Sequence, residues 1–257
     1  MSGQRQKNRP EQGVLAFPED SRSDAPKTDG RGTETLVAKR RPESLAETER
    51  LMEEVCEWEN CKQALQRVKA NKGSSGVDGM TVEQLPDYLK QHGPEIREQL
   101  LTGTYKPKPV RRVEIPKPDG GVRKLGIPSV LDRCVQQAVL QVLQKRWDPT
   151  FSEHSHGFRP GRSARQAVRQ AQQYIAEGRR WVVDLDLEKF FDQVNHDRLI
   201  AAVAKRVADR RMLQLIGAFL KAGVLEDGLV TAVDEGTPQG GPFTPRTQKI
   251  TSVLTAC

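Results

Sequence analysis

The chain has 257 residues, a formal net charge of +7 and a hydrophobic content of only 36%. It contains no apolar run of the roughly 20 residues that a membrane-spanning helix needs, and its N-terminus lacks the apolar core of a secretory signal. Its four cysteines are too few for a disulfide scaffold of this length, so composition predicts a basic, soluble protein of the cytoplasm without a membrane partner.

The N-terminal segment is predicted to be a disordered tail. Residues 1–45 contain only 10 apolar side chains among polar residues, prolines and glycines. Such a segment buries too little surface to offset the entropy that it would lose on ordering. The ordered part of the chain is therefore expected to begin near Ser44.

Capping patterns predict three helices at the start of the ordered part. Ser44, with a glutamate three residues later, begins a helix that apolar residues at helical spacing continue as far as Gly73. Thr81, with a glutamine three residues later, begins a second helix that is expected to end at Gly93. Pro94 is well placed as the first residue of a third, short helix.

A β-hairpin and two further helices are predicted next. Residues 111–128 alternate apolar and polar side chains around the turn sequence Asp-Gly-Gly at 119–121. Ser129, with an aspartate three residues later, caps the helix that follows the hairpin. Another helix begins near Ser163, carries small apolar residues on one face and ends at Gly178.

Residues 181–187, with the sequence WVVDLDL, are predicted to form a buried strand. Because side chains alternate along a strand, Asp184 and Asp186 would point to the same face. Two neighbouring carboxylates repel each other unless a divalent cation or a basic side chain lies between them, and Mg²⁺ suits such hard oxygen ligands. The alternative is that one aspartate faces solvent and the other caps a helix.

Four sequence blocks together resemble a known family. The run DLDLEKFFDQVNH is similar to the first catalytic palm motif of reverse transcriptases, in the version found in group II intron-encoded enzymes. The blocks VEIPKPDGGVRKLGIPSVLDRCVQQAVLQVL and FSEHSHGFRPGRSARQAV resemble two fingers blocks of these enzymes, and EGTPQGGP resembles a later palm loop. The resemblance covers residues 77–242 and identifies the chain as a member of the group II intron reverse transcriptase/maturase family.

This resemblance implies a mixed α/β fold with the fingers and an incomplete palm of a right-hand polymerase. The fingers-like region would span residues 46–180 and the partial palm residues 181–245, with residues 246–257 outside the family. The implied activity is RNA-directed DNA polymerisation on an RNA template, with a DNA primer and deoxynucleoside triphosphates. Binding of intron RNA for splicing and mobility is also implied, and the sequence leaves the oligomeric state open.

The resemblance also implies a metal site and an aromatic sugar contact. Asp186 matches the palm aspartate that, with the backbone carbonyl of Leu187, holds Mg²⁺ in a two-metal site. Asp184 is expected only to support it. Phe191 matches the aromatic residue that lies beneath the nucleotide sugar and excludes a 2′ hydroxyl.

Further positions match residues that contact the nucleotide. Lys117 and Arg123 flank the hairpin turn and correspond to fingers residues that bind the triphosphate, a charge that such cations suit. Gln239 corresponds to a palm glutamine that contacts the nucleotide and the template–primer. Gly240 permits close approach of the backbone to nucleic acid. For the segment of Lys117 and Arg123, the alternative is a solvated basic hairpin. For the segment of Gln239 and Gly240, the alternative is an ordinary Pro/Gly loop.

A basic segment supports a nucleic-acid partner. Residues 104–182 contain 16 Lys and Arg against 6 Asp and Glu, a net charge of +10. Such a surface attracts polyphosphates, although a solvated face remains the alternative. Arg159 and Arg162 are predicted to contact the template backbone. The neighbouring pair His154 and His156 lacks evident third and fourth ligands for zinc.

One part of the family pattern is missing from this sequence. The family carries two further catalytic aspartates in a Tyr-x-Asp-Asp hairpin, and these 257 residues contain no adjacent Asp-Asp pair. We expect a frameshift or truncation near Pro245, and no polymerisation by this chain alone. The alternatives are an intron RNA-binding splicing cofactor without catalysis and an inert remnant of a mobile element.

Overall fold

The computed structural model describes residues 48–116, 120–184 and 190–237. The predicted tail, residues 1–45, and the predicted C-terminal segment, residues 246–257, lie outside the described residues, so their boundaries stay predictions. No helix in the described ranges is both long and apolar enough to cross a membrane.

The described residues form helices around one hydrophobic core, with a small mixed sheet beside them. The mixed α/β class predicted from the sequence is therefore confirmed. In chain order the elements are α1 Leu51–Val55, α2 Trp58–Ala70, α3 Leu85–Thr102, β1 Val110–Pro116, β2 Val122–Ile127, α4 Val130–Trp147, α5 Ala164–Ala176, α6 His196–Ala204, α7 Arg210–Leu220, β3 Val224–Glu226 and β4 Leu229–Thr231.

Helix α4 is the centre of the core and is buried along most of its length. It begins as predicted, because the Ser129 side chain accepts a hydrogen bond from the backbone of Asp132 at 3.0 Å. Helices from both predicted regions pack into the same core. Its members include Leu51 of α1, Ala64 of α2, Leu100 of α3, Val139 of α4, Leu199 of α6 and Met212 of α7.

The N-terminal helices differ from the sequence prediction in two places. The helix predicted to run unbroken as far as Gly73 is divided into α1 and α2, because the buried Asn60 amide donates to the carbonyls of Val55 and Ala138 at the break. The predicted helix end at Gly93 is wrong, since α3 continues through Pro94 to Thr102. Burial of its apolar face against the core outweighs the hydrogen bond that the proline removes.

The sheet has the strand order β2-β1-β3-β4. The hairpin is confirmed, with β1 and β2 antiparallel and Arg111 opposite Ile127. Strand β1 also pairs with β3, in parallel, through Val110 opposite Val224 and Arg111 opposite Leu225. The sheet therefore joins a strand of the predicted fingers to a strand of the predicted palm.

The buried strand predicted for residues 181–187 is wrong for the part that the structure describes. Residues 181–184 have no strand conformation, and the side chains of Trp181, Val182 and Val183 are 95%, 85% and 80% exposed. A strand needs a neighbour for its backbone hydrogen bonds, and none of the described strands pairs with this segment.

Candidate functional site

The root of the hairpin is anchored by a buried aspartate, Asp132 of α4. Its carboxylate accepts hydrogen bonds from the Tyr105 hydroxyl at 2.9 Å, the Ser129 hydroxyl at 2.7 Å and the Lys108 backbone amide at 3.1 Å. Burial raises the pKa of Asp132, and these donors offset only part of that effect. The network fixes the chain that enters β1 to the first turn of α4.

A glycine- and serine-rich loop before α3 is held against the same place. Arg111 donates to the Ser75 carbonyl at 2.9 and 3.2 Å, and Arg133 donates to the Ser74 carbonyl at 2.6 Å. A Cβ atom at Gly76 would lie 2.6 Å from the Cα of Ser129, so only glycine fits there. The loop, the hairpin root and the start of α4 thus form one packed unit, which the sequence pattern alone did not reveal.

The far end of the hairpin extends away from this anchor. Of the two residues predicted to bind a triphosphate, Arg123 lies on β2 opposite Ile115 and is exposed, and Lys117 lies outside the described residues. Lys124 and Glu114 form an exposed cross-strand ion pair of 3.6 Å, which contributes at most about 1 kcal/mol. The exposed strand β2 therefore presents cationic side chains next to solvent.

The two arginines predicted to contact a template have different surroundings. The Arg159 side chain is only 8% exposed and donates to the Asp148 carboxylate at 3.0 and 3.2 Å and to the Ser152 carbonyl at 2.6 Å. Arg159 therefore holds its own loop together, and a direct template contact stays a prediction that this geometry does not favour. Arg162 is exposed, so its predicted contact with a template stays open to test.

Helix α5 lies within an exposed, arginine-rich segment, residues 159–180. The predicted start near Ser163 is confirmed, and the structure shows a capping box there, with the Ser163 amide donating to the Gln166 side chain at 2.7 Å. None of its residues is buried, including Val168 and Ile175 of its predicted apolar face. Residues 159–180 contain six arginines against one acidic residue, and all of these arginines except Arg159 are exposed.

A close contact joins the end of the predicted catalytic run to the start of the predicted palm loop. We call residues 191–196 and 235–237 the clasp. The Thr237 amide donates to the Phe191 carbonyl at 2.7 Å, and the Gly236 amide donates to the Val194 carbonyl at 2.8 Å. The buried His196 ring lies with its Nε2 atom 2.6 Å from the Gly236 carbonyl. Two separate blocks of the resemblance therefore meet in space.

The clasp requires a glycine at its turn. Gly236 has a φ of +86°, and a Cβ atom there would lie 3.0 Å from the carbonyl oxygens of Phe191 and Asp192. Sequence reasoning identified Phe191 and the loop after Thr237, but not His196. No local pattern signals a hydrogen bond between residues 40 positions apart.

Five predicted site residues cannot be placed from the structure. Besides Lys117, they are Asp186, Leu187, Gln239 and Gly240, all of which lie outside the described residues. Within the described ranges, no group of three or more His, Cys, Asp or Glu side chains is arranged to hold a metal ion. His154 instead lies 2.9 Å from the Tyr174 hydroxyl through its Nδ1 atom.

Residues 115–251, more than half of the chain, match the family of reverse transcriptases (RNA-dependent DNA polymerases). The match continues beyond Pro245, the predicted end of the family region. Enzymes of this family bind nucleic acid and generally use a divalent metal ion.

Relatives from bacteria agree with this match. The chain is 38% identical over 203 residues to Protein YkfC of Escherichia coli (strain K12), covering 77% of this chain and 53% of YkfC. It is also 38% identical over 183 residues to the group II intron-encoded protein LtrA of Lactococcus lactis subsp. cremoris, covering 71% of this chain and 30% of LtrA. The chain thus spans about half the length of the first relative and under a third of the second.

A solved structure supports the fold. The chain aligns with a chain of a partial Cas6-RT-Cas1–Cas2 complex at a TM-score of 0.53 and 20% identity, covering 79% of this chain and 34% of that one. At this identity the likeness concerns the fold alone. With more than half of its residues matching the family, the chain belongs to the reverse transcriptases, as the resemblance of its sequence blocks to group II intron-encoded enzymes indicated.

Proposed function

We propose that this chain carries the nucleotide- and template-binding part of an RNA-directed DNA polymerase of the group II intron type. In the complete activity, an RNA template directs transfer of deoxynucleotides to a DNA primer. The observation that carries this proposal is the clasp, because it joins the Phe191 turn to residues 235–237, the start of the palm-loop block, in a chain of this family.

The hairpin and the clasp are parts of one backbone framework. Strand β1 pairs with β3, β3 pairs with β4, and the chain after β4 enters the clasp at residues 235–237. The phosphate-binding role proposed for Lys117 and Arg123 would therefore act from the same framework as the sugar contact proposed for Phe191. Both roles suit the chemistry of a nucleoside triphosphate.

The metal of this activity is proposed to be Mg²⁺, held by the carboxylate of Asp186 and the carbonyl of Leu187. When bound, such an ion neutralises phosphate charge and activates the primer hydroxyl. These 257 residues include no adjacent Asp-Asp pair to supply the further carboxylates. We therefore expect residues 1–257 alone to bind template and nucleotide without extending a primer.

RNA binding is proposed to use the exposed arginines of the α5 region. The test replaces Arg162, Arg165 and Arg169 together by alanine and measures RNA affinity by fluorescence anisotropy between 50 and 300 mM salt. The slope of log affinity against log salt should fall in magnitude by about 2 to 3, as expected for the loss of three phosphate contacts. An unchanged slope would refute this surface as the RNA site.

A matched control removes three positive charges from other helices. Lys62, Lys69 and Lys90 are exposed on α2 and α3. Their combined replacement by alanine should leave the slope within about one unit of the unaltered chain, because distant exposed charges are screened at these salt concentrations. A loss equal to that of the arginine variant would mean that the chain attracts RNA only through its net charge.

A second function, intron RNA binding in splicing without catalysis, is favoured by the exposed arginines of the α5 region. Both functions predict no primer extension by residues 1–257, so nucleotide binding by the RNA-bound chain separates them, because the first function predicts it and the second does not. The binding function predicts no template-dependent product from residues 1–257, and RNA affinity that is indifferent to Asp186→Ala. Product that disappears in Asp186→Ala would instead establish polymerisation by this chain.

A further inference from the structure

Exposed apolar side chains are concentrated in one stretch of the described chain. Eleven large hydrophobic side chains are exposed in the described ranges, and six of them lie in residues 158–183: Phe158, Val168, Ile175, Trp181, Val182 and Val183. Single exposed apolar residues are ordinary, but a cluster of them indicates an interaction surface. This stretch, which contains α5, is therefore a candidate binding face.

Four apolar residues of α5 form a regular row along the helix. Ala164, Val168, Ala171 and Ile175 follow one another at intervals of four, three and four positions, which places them on one face. We call these four residues the α5 seam. All four are exposed, Val168 by 57% and Ile175 by 65%. Alternation of β-branched and small residues at this spacing is the pattern by which one helix receives the side chains of another.

Contacts on a neighbouring face hold α5 in place. The Tyr174 hydroxyl lies 2.9 Å from the Nδ1 atom of His154, and the Arg179 guanidinium lies over the Tyr174 ring, 5.1 Å from its centre. Ala167 and Tyr174 are partly buried, whereas the seam beside them is exposed. The capping box at Ser163 fixes the first turn. The seam is thus presented by a formed helix that is held along one edge.

Arginines lie along the other edge of the seam. Arg165 is three positions before Val168, Arg169 is one turn further along the helix, and both side chains are exposed. Glu177 is the one acidic residue among residues 159–180. Acidic side chains therefore complement this edge, whereas a second copy of the chain would bring the same arginines against each other.

We propose that the α5 seam binds an amphipathic helix of a second protein. The apolar side chains of that helix pack against Val168 and Ile175, and its acidic side chains lie beside Arg165 and Arg169. An aliphatic row favours a protein helix over nucleic acid, because bases stack on aromatic rings and phosphates need only the cations. Docking of this helix does not depend on the template or nucleotide binding of the proposed function.

The probe for this surface is a synthetic helical peptide of three heptads, with leucine at its seam positions, glutamate at the flanking positions and a fluorescein label. Its glutamates repel one another, which keeps the peptide from pairing with itself. A second peptide with lysine in place of every glutamate is the matched control. Fluorescence anisotropy should show that the whole chain binds the glutamate peptide saturably, and about tenfold more tightly than the lysine peptide.

Substitutions in the seam test the apolar contact. The double variant Val168→Gln, Ile175→Gln keeps the charge and suits a helix, and it should weaken binding of the glutamate peptide by about tenfold or more. The control is Ile115→Gln with Val122→Gln, two exposed apolar residues of the hairpin, and it should change the affinity less than about twofold.

A charge reversal tests the electrostatic contact. The double variant Arg165→Glu, Arg169→Glu should bind the lysine peptide more tightly than the glutamate peptide, which reverses the preference of the unaltered chain. Both positions are exposed, so the fold should be kept, and far-ultraviolet circular dichroism checks the helix content.

Three results would overturn this inference. The first is no saturable binding of the glutamate peptide to the unaltered chain. The second is equal binding to the unaltered chain and to the seam variant, which would mean that net charge alone attracts the peptide. The third is self-association of the unaltered chain in sedimentation that the seam variant loses, which would make a second copy the occupant. RNA binding is tested separately, because the seam variant keeps every arginine of the α5 region.

Discussion

Replacing Arg211 by methionine should destabilise the fold by about 3 kcal/mol at neutral pH. Its guanidinium donates to the Asp209 carboxylate at 2.9 and 3.0 Å, to the Glu53 carboxylate at 2.7 and 3.1 Å, and to the Leu101 carbonyl at 3.2 Å. One side chain thus ties α1, α3 and α7 together.

The magnitude follows from how exposed each partner is. The Asp209 side chain is 1% exposed, and without Arg211 it would keep only two donors, the backbone amides of Met52 and residue 211. Removing the guanidinium from this buried carboxylate should therefore lower the free energy of unfolding by about 2 kcal/mol. Glu53 is 37% exposed, and its ion pair with Arg211 contributes at most about 1 kcal/mol.

The stability that Arg211 contributes should depend on pH. Burial pushes the pKa of Asp209 upward, but hydrogen bonds from Arg211 and from the Met52 amide outweigh it and lower that pKa below its ordinary 3.8. The Arg211 hydrogen bond likewise lowers the pKa of Glu53 below 4.5. Because both folded pKa values are depressed, this stabilisation is present above about pH 4.5 and is lost as the pH falls through the lowered values.

Urea unfolding followed by circular dichroism at pH 7, 4.5 and 3.5 tests both statements. The unaltered chain should lose stability as the pH falls, and Arg211→Met should lose less because its carboxylates have no guanidinium partner. Arg210→Met, an identical change at an exposed neighbour, is the control and should cost under about 0.5 kcal/mol. Equal stability of the two variants, or an equal acid loss in Arg211→Met and the unaltered chain, would refute the reasoning.

Three further changes probe the anchor and the clasp by urea unfolding at pH 7. Gly76→Ala should cost about 2 kcal/mol, because its Cβ would lie 2.6 Å from the Ser129 backbone; a neutral result would mean that the loop moves freely. Tyr105→Phe should cost about 1 to 2 kcal/mol by removing a donor to the buried Asp132, and no loss would contradict the anchor. Gly236→Ala should cost about 1 to 2 kcal/mol for its positive φ, and unaltered stability would contradict the clasp turn.

Local interactions were predictable from the sequence where they decide the structure by themselves. The helix start near Ser163, the Ser129 cap and the hairpin depend on residues at most a few positions apart, and all three are confirmed. The break before α2 and the continuation of α3 through Pro94 were not predictable, because they depend on burial against α4 and its neighbours. Local propensity is a weak guide where tertiary packing opposes it.

The candidate site was likewise predictable only where its residues carry a local or family pattern. The apolar and alternating residues of 181–187 predicted a strand, but such a pattern does not supply the neighbouring strand that backbone pairing requires. The family resemblance predicts a role for Phe191. Its position in the clasp is not predictable from the sequence, because it depends on the hydrogen bond from the Thr237 amide to the Phe191 carbonyl. His196 carried no sequence signal because its partner is remote along the chain.

The parallel pairing of β1 with β3 has a consequence for how the molecule folds during synthesis. The hairpin of β1 and β2 can form as soon as residue 127 has emerged, but the other edge of β1 waits for β3, about a hundred residues later. An open strand edge is a site of mispairing between nascent chains, and such non-local contacts form slowly. Ribosome-bound chains that stop short of residue 224 should therefore aggregate more readily than those that extend past residue 231.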